Sequence, residues 1–264
     1  MARSHRPFSA DRRFSFDLYV PEQPTGTICV YIHGTERDAA GYCDALTPLA
    51  DACGCIILSP LFPAGLIEPN DTDNYKNIRF HNLRFDRLLL GMIAEVARQF
   101  QADGRCFLLG GFSGGAQFAH RFYYLHPDRL LALSVAAPGR VTLPDDGQDW
   151  WLGVRDMEAQ FGQPLRLAAM RRVPVHLAVG ADDTADVTLD AASPYWMPGV
   201  ERIGSTRVER LRHLHASLSA HGISAALEIV SGVAHEASPL IARSAAFFAT
   251  ILREHHDEST TCRL

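Results

Sequence analysis

The stretch that decides the fold runs Leu108-Leu-Gly-Gly-Phe-Ser-Gly-Gly-Ala-Gln-Phe-Ala-His120. A short apolar run reaches a knot of four glycines around one serine, and the pattern behind the knot is helical. The stretch therefore reads as strand, tight turn, helix. A serine at such a turn must take a strained backbone conformation if its hydroxyl is to project above the sheet. Side chains two positions to either side would collide there, which accounts for Gly111 and Gly115. Gly114 lets a backbone N–H approach whatever the hydroxyl attacks, and the following helix directs its positive end at the same point. A phosphate-binding loop is the competing reading, and it fails because no Gly-Lys-Ser/Thr follows.

Upstream and downstream of this knot the chain alternates between two periods. Residues 13–20 alternate apolar and polar, as a half-buried strand does. Residues 27–32 and 55–59 are unbroken apolar runs, the pattern of strands buried on both faces. Residues 41–52 carry a helical stripe. The clearest helix is 84–101, with Phe85, Leu88, Leu89, Met92, Ile93, Val96 and Phe100 at spacings of three and four. Strands follow at 105–109, 130–137, 173–179 and 225–230, and helices at 115–125, 206–221 and 239–256. Parallel strands need long crossovers, which helices supply. The expected fold is α/β, a mostly parallel central sheet with helices on both faces, in a single domain spanning 1–264. Two long irregular stretches, 60–82 and 138–165, both follow the C-terminal end of a strand, where such folds place their crevice. They are read as loop insertions forming a partial lid or pocket wall. Residues 257–264 read as a frayed tail.

Composition narrows the function classes. The 264 residues are 47% hydrophobic, enough for a full core, and the net charge is −5. No basic patch with interleaved aromatics is present, so nucleic acid is not an expected partner. No apolar run approaches the roughly 20 residues needed to span a bilayer. The stretch Met1-Ala-Arg-Ser-His-Arg-Pro-Phe8 is charged and leads into no apolar segment, so no secretory signal is read there. Cysteines stand at 29, 43, 53, 55, 106 and 262. They read as reduced thiols of a cytoplasmic protein. A Cys43–Cys53 bridge is conceivable.

A serine hydroxyl needs a base to take its proton. His235 follows the last strand and precedes the final helix, the place a base on a late loop should occupy. The other histidines fit less well. His120 lies on the helix behind the serine and His176 inside a strand. His213 and His215 are two apart and cannot share a helix face. His255 and His256 sit near the chain end. At His33 the backbone is expected to matter more than the ring. The acid that orients the base should come between serine and histidine. Ala181-Asp-Asp-Thr184 follows the strand that ends at Gly180. Asp183 is preferred, with Asp182 next and Asp186 after it. A tetrahedral oxyanion needs two N–H donors, expected from Gly114 and from Thr35 in His33-Gly-Thr.

At this point the chain resembles the α/β-hydrolase superfamily. The order His33-Gly34, Gly111-x-Ser113-x-Gly115, Asp183, His235 carries the match across most of residues 15–254. The stretches YIHGTERDAAGYCDALTPLADACGCIILSPLFP and GGFSGGAQFAHRFYYLHPDRLLALSVAAPG resemble the esterase group that includes polyhydroxybutyrate-depolymerase-like, feruloyl-esterase-like and dienelactone-hydrolase-like proteins. The resemblance implies an α/β-hydrolase fold, a nucleophile at Ser113, a general base at His235 and an acid at Asp183. It implies a cofactor-independent serine hydrolase that cleaves a small-molecule carboxylic ester. Amide, thioester and acyl-transfer chemistry use the same three residues, and a non-catalytic ligand-binding protein is the alternative of a different class. Serine replaces the cysteine of dienelactone hydrolases. The chain also lacks the disulfide richness expected of an extracellular polymer degrader.

Trp150, Trp151 and Phe161 are candidates for an acyl or aromatic pocket, against a small satellite core under the lid. Tyr75 and Phe80 pose the same choice. Asp145, Asp146 and Asp149 read as a solvated rim, since no calcium-loop spacing is present, and no metal site is expected. Oligomeric state is left open, a homodimer being one option.

Overall fold

The unbroken apolar runs become the middle of the sheet. In the computed structural model, which describes residues 3–261 with side chains as far as 255, β1 (Ser4–Pro7) and β2 (Ser15–Tyr19) form an antiparallel pair at one edge. β3 (Thr27–Ile32) is buried beyond its first residue. It is followed by α1 (Ala39–Ala45), α2 (Thr47–Cys53) and β4 (Ile56–Leu61). A two-stranded hairpin, β5 (Arg79–Phe80) with β6 (Leu83–Arg84), leads into α3 (Phe85–Phe100). Then come β7 (Asp103–Phe112), α4 (Gly114–Leu125) and β8 (Leu130–Ala136). α5 (Met157–Phe161) and α6 (Leu167–Met170) are short. β9 (Val175–Gly180), α7 (Arg207–Ala220), β10 (Ala225–Val230) and α8 (Ala237–Thr261) complete the chain.

The sheet order is β1-β2-β4-β3-β7-β8-β9-β10. β4 through β10 in this order run parallel, and β2 is antiparallel to β4. α8 packs across β7, β8 and β9 and meets α1 and α2, while α4 lies on β3, β7 and β8 from the other face. From β3 the chain leaves toward β4; from β7 it leaves the opposite way, toward β8. The C-terminal ends of β3 and β7 therefore flank the point where the strand order reverses, the place where open α/β sheets bind ligands. Thr35 follows β3 and Ser113 follows β7.

The expected elements are present, with instructive differences. The helix expected over 41–52 is two helices meeting at Leu46, because Pro48 lies in the first turn of α2 and has no N–H to continue α1. β7 reaches Phe112, three residues past the expected end, because Gly110 and Gly111 still pair with Tyr31 and Ile32. Edge strand β1 carries no apolar pattern and was not anticipated; its exposure alternates, and His5 contacts Asp17 of β2 at 3.3 Å. The 60–82 stretch ends in the β5–β6 hairpin, and the 138–165 stretch holds α5. The segment expected to fray from 257 is helical as far as Thr261, and residues 262–264 lie outside the described residues.

Cys29, Cys43 and Cys55 are buried core residues, and Cys53 and Cys106 are partly buried. All five are free, so Cys43 and Cys53 are not bridged; Cys262 lies outside the described residues. Among the described residues no helix is long and apolar enough to cross a membrane.

Candidate active site

Ser113 sits between β7 and α4 with φ 53° and ψ −112°. A non-glycine residue at positive φ is strained, and here the strain lifts the hydroxyl out of the sheet. The flanking glycines make the turn possible. A side chain on Gly111 would begin 2.4 Å from the carbonyl of Gly115, and one on Gly115 would begin 2.0 Å from the carbonyl oxygen of Ile32.

The loops after β9 and β10 bring the other two predicted residues to the serine. The amide of Asp182 donates to Val233 O at 2.9 Å, and that of Ala181 to Val230 O at 2.8 Å, so the two loops are tied backbone to backbone. The loops touch because Gly180 has no side chain: one there would begin 2.1 Å from Val233 O. His235 Nε2 lies 3.0 Å from Ser113 Oγ, and His235 Nδ1 lies 2.7 Å from Asp183 Oδ2. An ionised carboxylate only accepts, so Nδ1 carries the proton and Nε2 is free to accept from the hydroxyl. Of the three candidate aspartates, Asp183 is the one that meets the ring. Asp183 is 2% exposed; Asp182 and Asp186 are exposed, and Asp186 accepts from the amide of Thr188 instead.

Two contacts at this chain of hydrogen bonds had no signal in the sequence. Arg207, the first residue of α7, donates through Nη1 to Asp183 Oδ1 at 2.9 Å. Burial pushes the Asp183 carboxyl up, but the His235 hydrogen bond and the charges of His235 and Arg207 outweigh it, and the group ends below the usual carboxylate range. The ring of Phe112 stacks on His235 with centroids 4.7 Å apart, which fixes the imidazole plane.

Thr35 N lies 3.3 Å from where a Gly114 side chain would begin, so the two predicted donors are neighbours. The orientation of the Thr35 amide is set from behind. Gly34 O and Thr35 N–H belong to one peptide plane and point opposite ways. Gly34 O accepts from His33 Nδ1 at 2.7 Å and from Tyr75 Oη at 3.0 Å. With the carbonyl pinned inward, the N–H faces outward, and it has no hydrogen bond among the described residues. The His33 ring thus matters more than expected. Its Nε2 accepts from the Phe62 amide at 3.0 Å, so the ring is neutral, and burial holds it far below the usual imidazole value, at about 3. His120 is likewise buried and neutral, donating to Ala116 O at 2.7 Å and accepting from the Thr142 amide at 3.0 Å.

The aromatic candidates divide. Trp150 and Phe161 pack edge to face at 4.8 Å, and the Trp150 indole donates to Asn77 O at 3.1 Å; the contacts are those of a satellite cluster. Trp151 is buried, donates to Tyr195 O at 3.0 Å and lies beside the guanidinium groups of Arg121 and Arg140. Tyr75 belongs to the buried ring cluster of His33, Phe62, Phe85 and Phe118. Phe80 stacks edge-on with His81.

No protein-family model matches the sequence, and no curated protein matches it. Solved structures match it in fold. A poly(3-hydroxybutyrate) depolymerase from Bordetella parapertussis superposes with TM-score 0.74 at 23% identity over 94% of this chain and 89% of that one. A poly(aspartic acid) hydrolase from Sphingomonas sp. KT-1 gives 0.71 at 22% over 88% and 92%. An S-formylglutathione hydrolase from Agrobacterium tumefaciens gives 0.62 at 15% over 95% and 94%. With the parallel sheet, the reversal of strand order between β3 and β7, and a strained serine turn at that point, these likenesses establish that the chain has the α/β-hydrolase fold.

Proposed function

We propose that the protein is a serine hydrolase that cleaves carboxylic esters, with Ser113 as nucleophile, His235 as general base and Asp183 as the acid that orients it. The observation that carries this reading is the unbroken run of hydrogen bonds from Ser113 Oγ through His235 to Asp183, which starts at the one residue of the glycine knot held in a strained conformation. As Ser113 Oγ attacks the acyl carbon, its proton passes to His235 Nε2. Asp183 holds the ring in the right tautomer and stabilises the imidazolium. The N–H groups of Gly114 and Thr35 receive the oxyanion. Collapse breaks the bond to the alcohol, which leaves with the proton from His235. Water then gives its proton to the same nitrogen and attacks the acyl-enzyme; collapse breaks the bond to Ser113 Oγ, which takes that proton back from His235 as the acid leaves. No cofactor is needed in this sequence.

An ester leads over an amide because its leaving group needs less assistance. The fold neighbours include an enzyme named for ferulic acid esters. The pocket is assigned to Trp151 among the three aromatic candidates, and the stretches 60–82 and 138–165 form its walls as a partial lid. Buried Cys29, Cys43 and Cys55 act as small core residues, and a protein that keeps them as thiols fits the cytoplasm. Replacing Ser113 with Ala is expected to lower kcat on a short-chain ester by about 10⁴-fold or more and to abolish labelling by a fluorophosphonate probe, with the thermal midpoint kept. Retained labelling or turnover in that variant overturns the assignment.

A further inference from the structure

Beside Gly114 lies an array of buried charges that the three catalytic residues do not use. Lys76, 5% exposed, pairs with Asp73 Oδ1, and Arg140, also 5% exposed, donates through Nη2 to Asp73 Oδ2 at 2.8 Å. One carboxylate is thus shared by two cations. Burying charge is costly unless it is compensated, and more cations than carboxylates are gathered here. Arg121 stands behind the array, fully buried, with Nη2 lacking any partner. Arg210 is buried as well and donates to carbonyls of Gly139 and Gly204. The other carboxylate close by, Asp71, accepts at Oδ1 from the Tyr195 hydroxyl at 3.3 Å and the Asp73 amide at 3.0 Å, and its Oδ2 is buried without a partner; Asp73 and Asp71 are thus two carboxylates beside the four cations Lys76, Arg140, Arg121 and Arg210.

The array also borders the turn that carries Ser113. Lys76 Cε lies 2.8 Å from where a Gly114 side chain would begin. Arg140 Nε donates at 3.0 Å to Gln117 Oε1, one helical turn past Ser113. The guanidinium is held flat by Tyr195 at 4.0 Å and Trp151 at 5.4 Å. Its Nη1 has no hydrogen bond among the described residues and is not among the buried atoms left unpaired, so it still meets solvent. Lys76 Nζ has three donors and one carboxylate oxygen to satisfy them. The N-terminal end of α4 adds positive potential at the same place.

We propose that Arg140 and Lys76 form a subsite for a carboxylate carried by the substrate, so that the preferred esters are half-esters of dicarboxylic acids, with the free carboxylate on the array and the ester carbonyl at Ser113. The proposal rests on the serine-hydrolase reading and names its substrate class.

The test compares kcat/KM of the full-length enzyme on the monoethyl esters of succinate, glutarate and adipate with that on the corresponding diethyl esters. At least one chain length is expected to favour the monoester by about tenfold or more, as a charge-assisted hydrogen bond would, and Arg140→Gln is expected to collapse that ratio. The free dicarboxylate of the favoured length should inhibit the wild type competitively. Lys76→Met gives a second variant if Arg140→Gln does not fold, and the wild-type ratio and inhibition stand without either. Ser113-dependent cleavage of the diesters with no preference for any monoester, and no competitive inhibition, overturns the subsite and leaves the hydrolase reading intact. If neither ester is cleaved, the hydrolase reading falls and takes the substrate assignment with it. Calorimetry of the monoesters with Ser113→Ala reads the subsite without turnover, and absence of binding there overturns it as well.

Discussion

The two sides of Ser113 are built differently. On the β3 side, the peptide that presents Thr35 N–H rests on buried His33 and Tyr75 and half-buried Arg37, each bonded to the backbone around it. His33 joins Gly34 O to the Phe62 amide, Tyr75 donates to His33 O and Gly34 O, and Arg37 reaches Phe62 O, Thr35 O and Thr72 O. On the β10 side, His235 stands on an exposed loop and is held by Asp183, the Phe112 ring and a loop-to-loop pair of backbone bonds. The difference matches the demands of the proposed chemistry. Donors to an oxyanion act best when they need no rearrangement at the moment of reaction. A base that takes a proton from one atom and returns it to another needs its plane fixed and some freedom within it.

The largest expected effect comes from the buried side and concerns stability. His33 titrates near 3 in the folded protein and near 6.5 in an unfolded chain. Between those values the unfolded chain binds a proton that the native one does not, so stability is fully present above pH 6.5 and is lost as the pH falls toward 3. At pH 5 the loss is roughly 2 kcal/mol for this residue alone. His120 is shifted in the same direction by burial and adds to it. Urea midpoints at pH 7 and pH 5 measure the loss, in a window above the range where ordinary carboxylates titrate. An unchanged midpoint would show that the β3 side tolerates charged imidazoles, and the contrast with the His235 side would go.

Tyr75→Phe tests the same layer through catalysis. It removes one of the two donors on Gly34 O and keeps the ring in its cluster. The Thr35 peptide should lose alignment without losing its backing altogether, so kcat on a neutral ester is expected to fall about tenfold, less than the loss of a direct oxyanion donor, with KM within about twofold. Steady-state kinetics decide it. A raised KM at constant kcat would put Tyr75 in substrate binding and take it out of the support of Thr35.

How much of this was legible in the sequence follows from the range of the forces involved. The spans of β3 and β10 were read to the residue, since period and turn chemistry are local signals. That Ser113, His235 and Asp183 meet could be anticipated because a glycine knot, a late loop and a post-strand acid each leave a local mark. The Lys76–Asp73–Arg140 array leaves none. Its members come from two insertions with no periodicity, and only the fold brings them to Gly114. Arg207 looks like any surface residue at the start of a helix, and its partner is 24 positions away. His33 was undervalued for the same reason: its ring bonds to Phe62, a residue of a different strand end.

The smallest effect is expected on the exposed side. Phe112 immediately precedes the proposed nucleophile, and its ring is the one large side chain stacked on His235 among the described residues. Phe112→Leu keeps the buried volume against Tyr42 approximately filled and removes the flat face. An aromatic pair of this kind contributes about 0.5–1.5 kcal/mol beyond its buried area, so kcat/KM should fall about two- to tenfold. The loss should lie mainly in kcat, since in the proposed mechanism the ring acts by orienting the base. Asp183 and the backbone ties between the two loops remain in the variant, which is why the effect stays below that of Tyr75→Phe. Kinetics of the two variants on one ester rank the two sides directly. If Phe112→Leu costs more than Tyr75→Phe, the imidazole is the more tightly specified partner, and the assignment of rigidity to the β3 side and freedom to the β10 side is reversed.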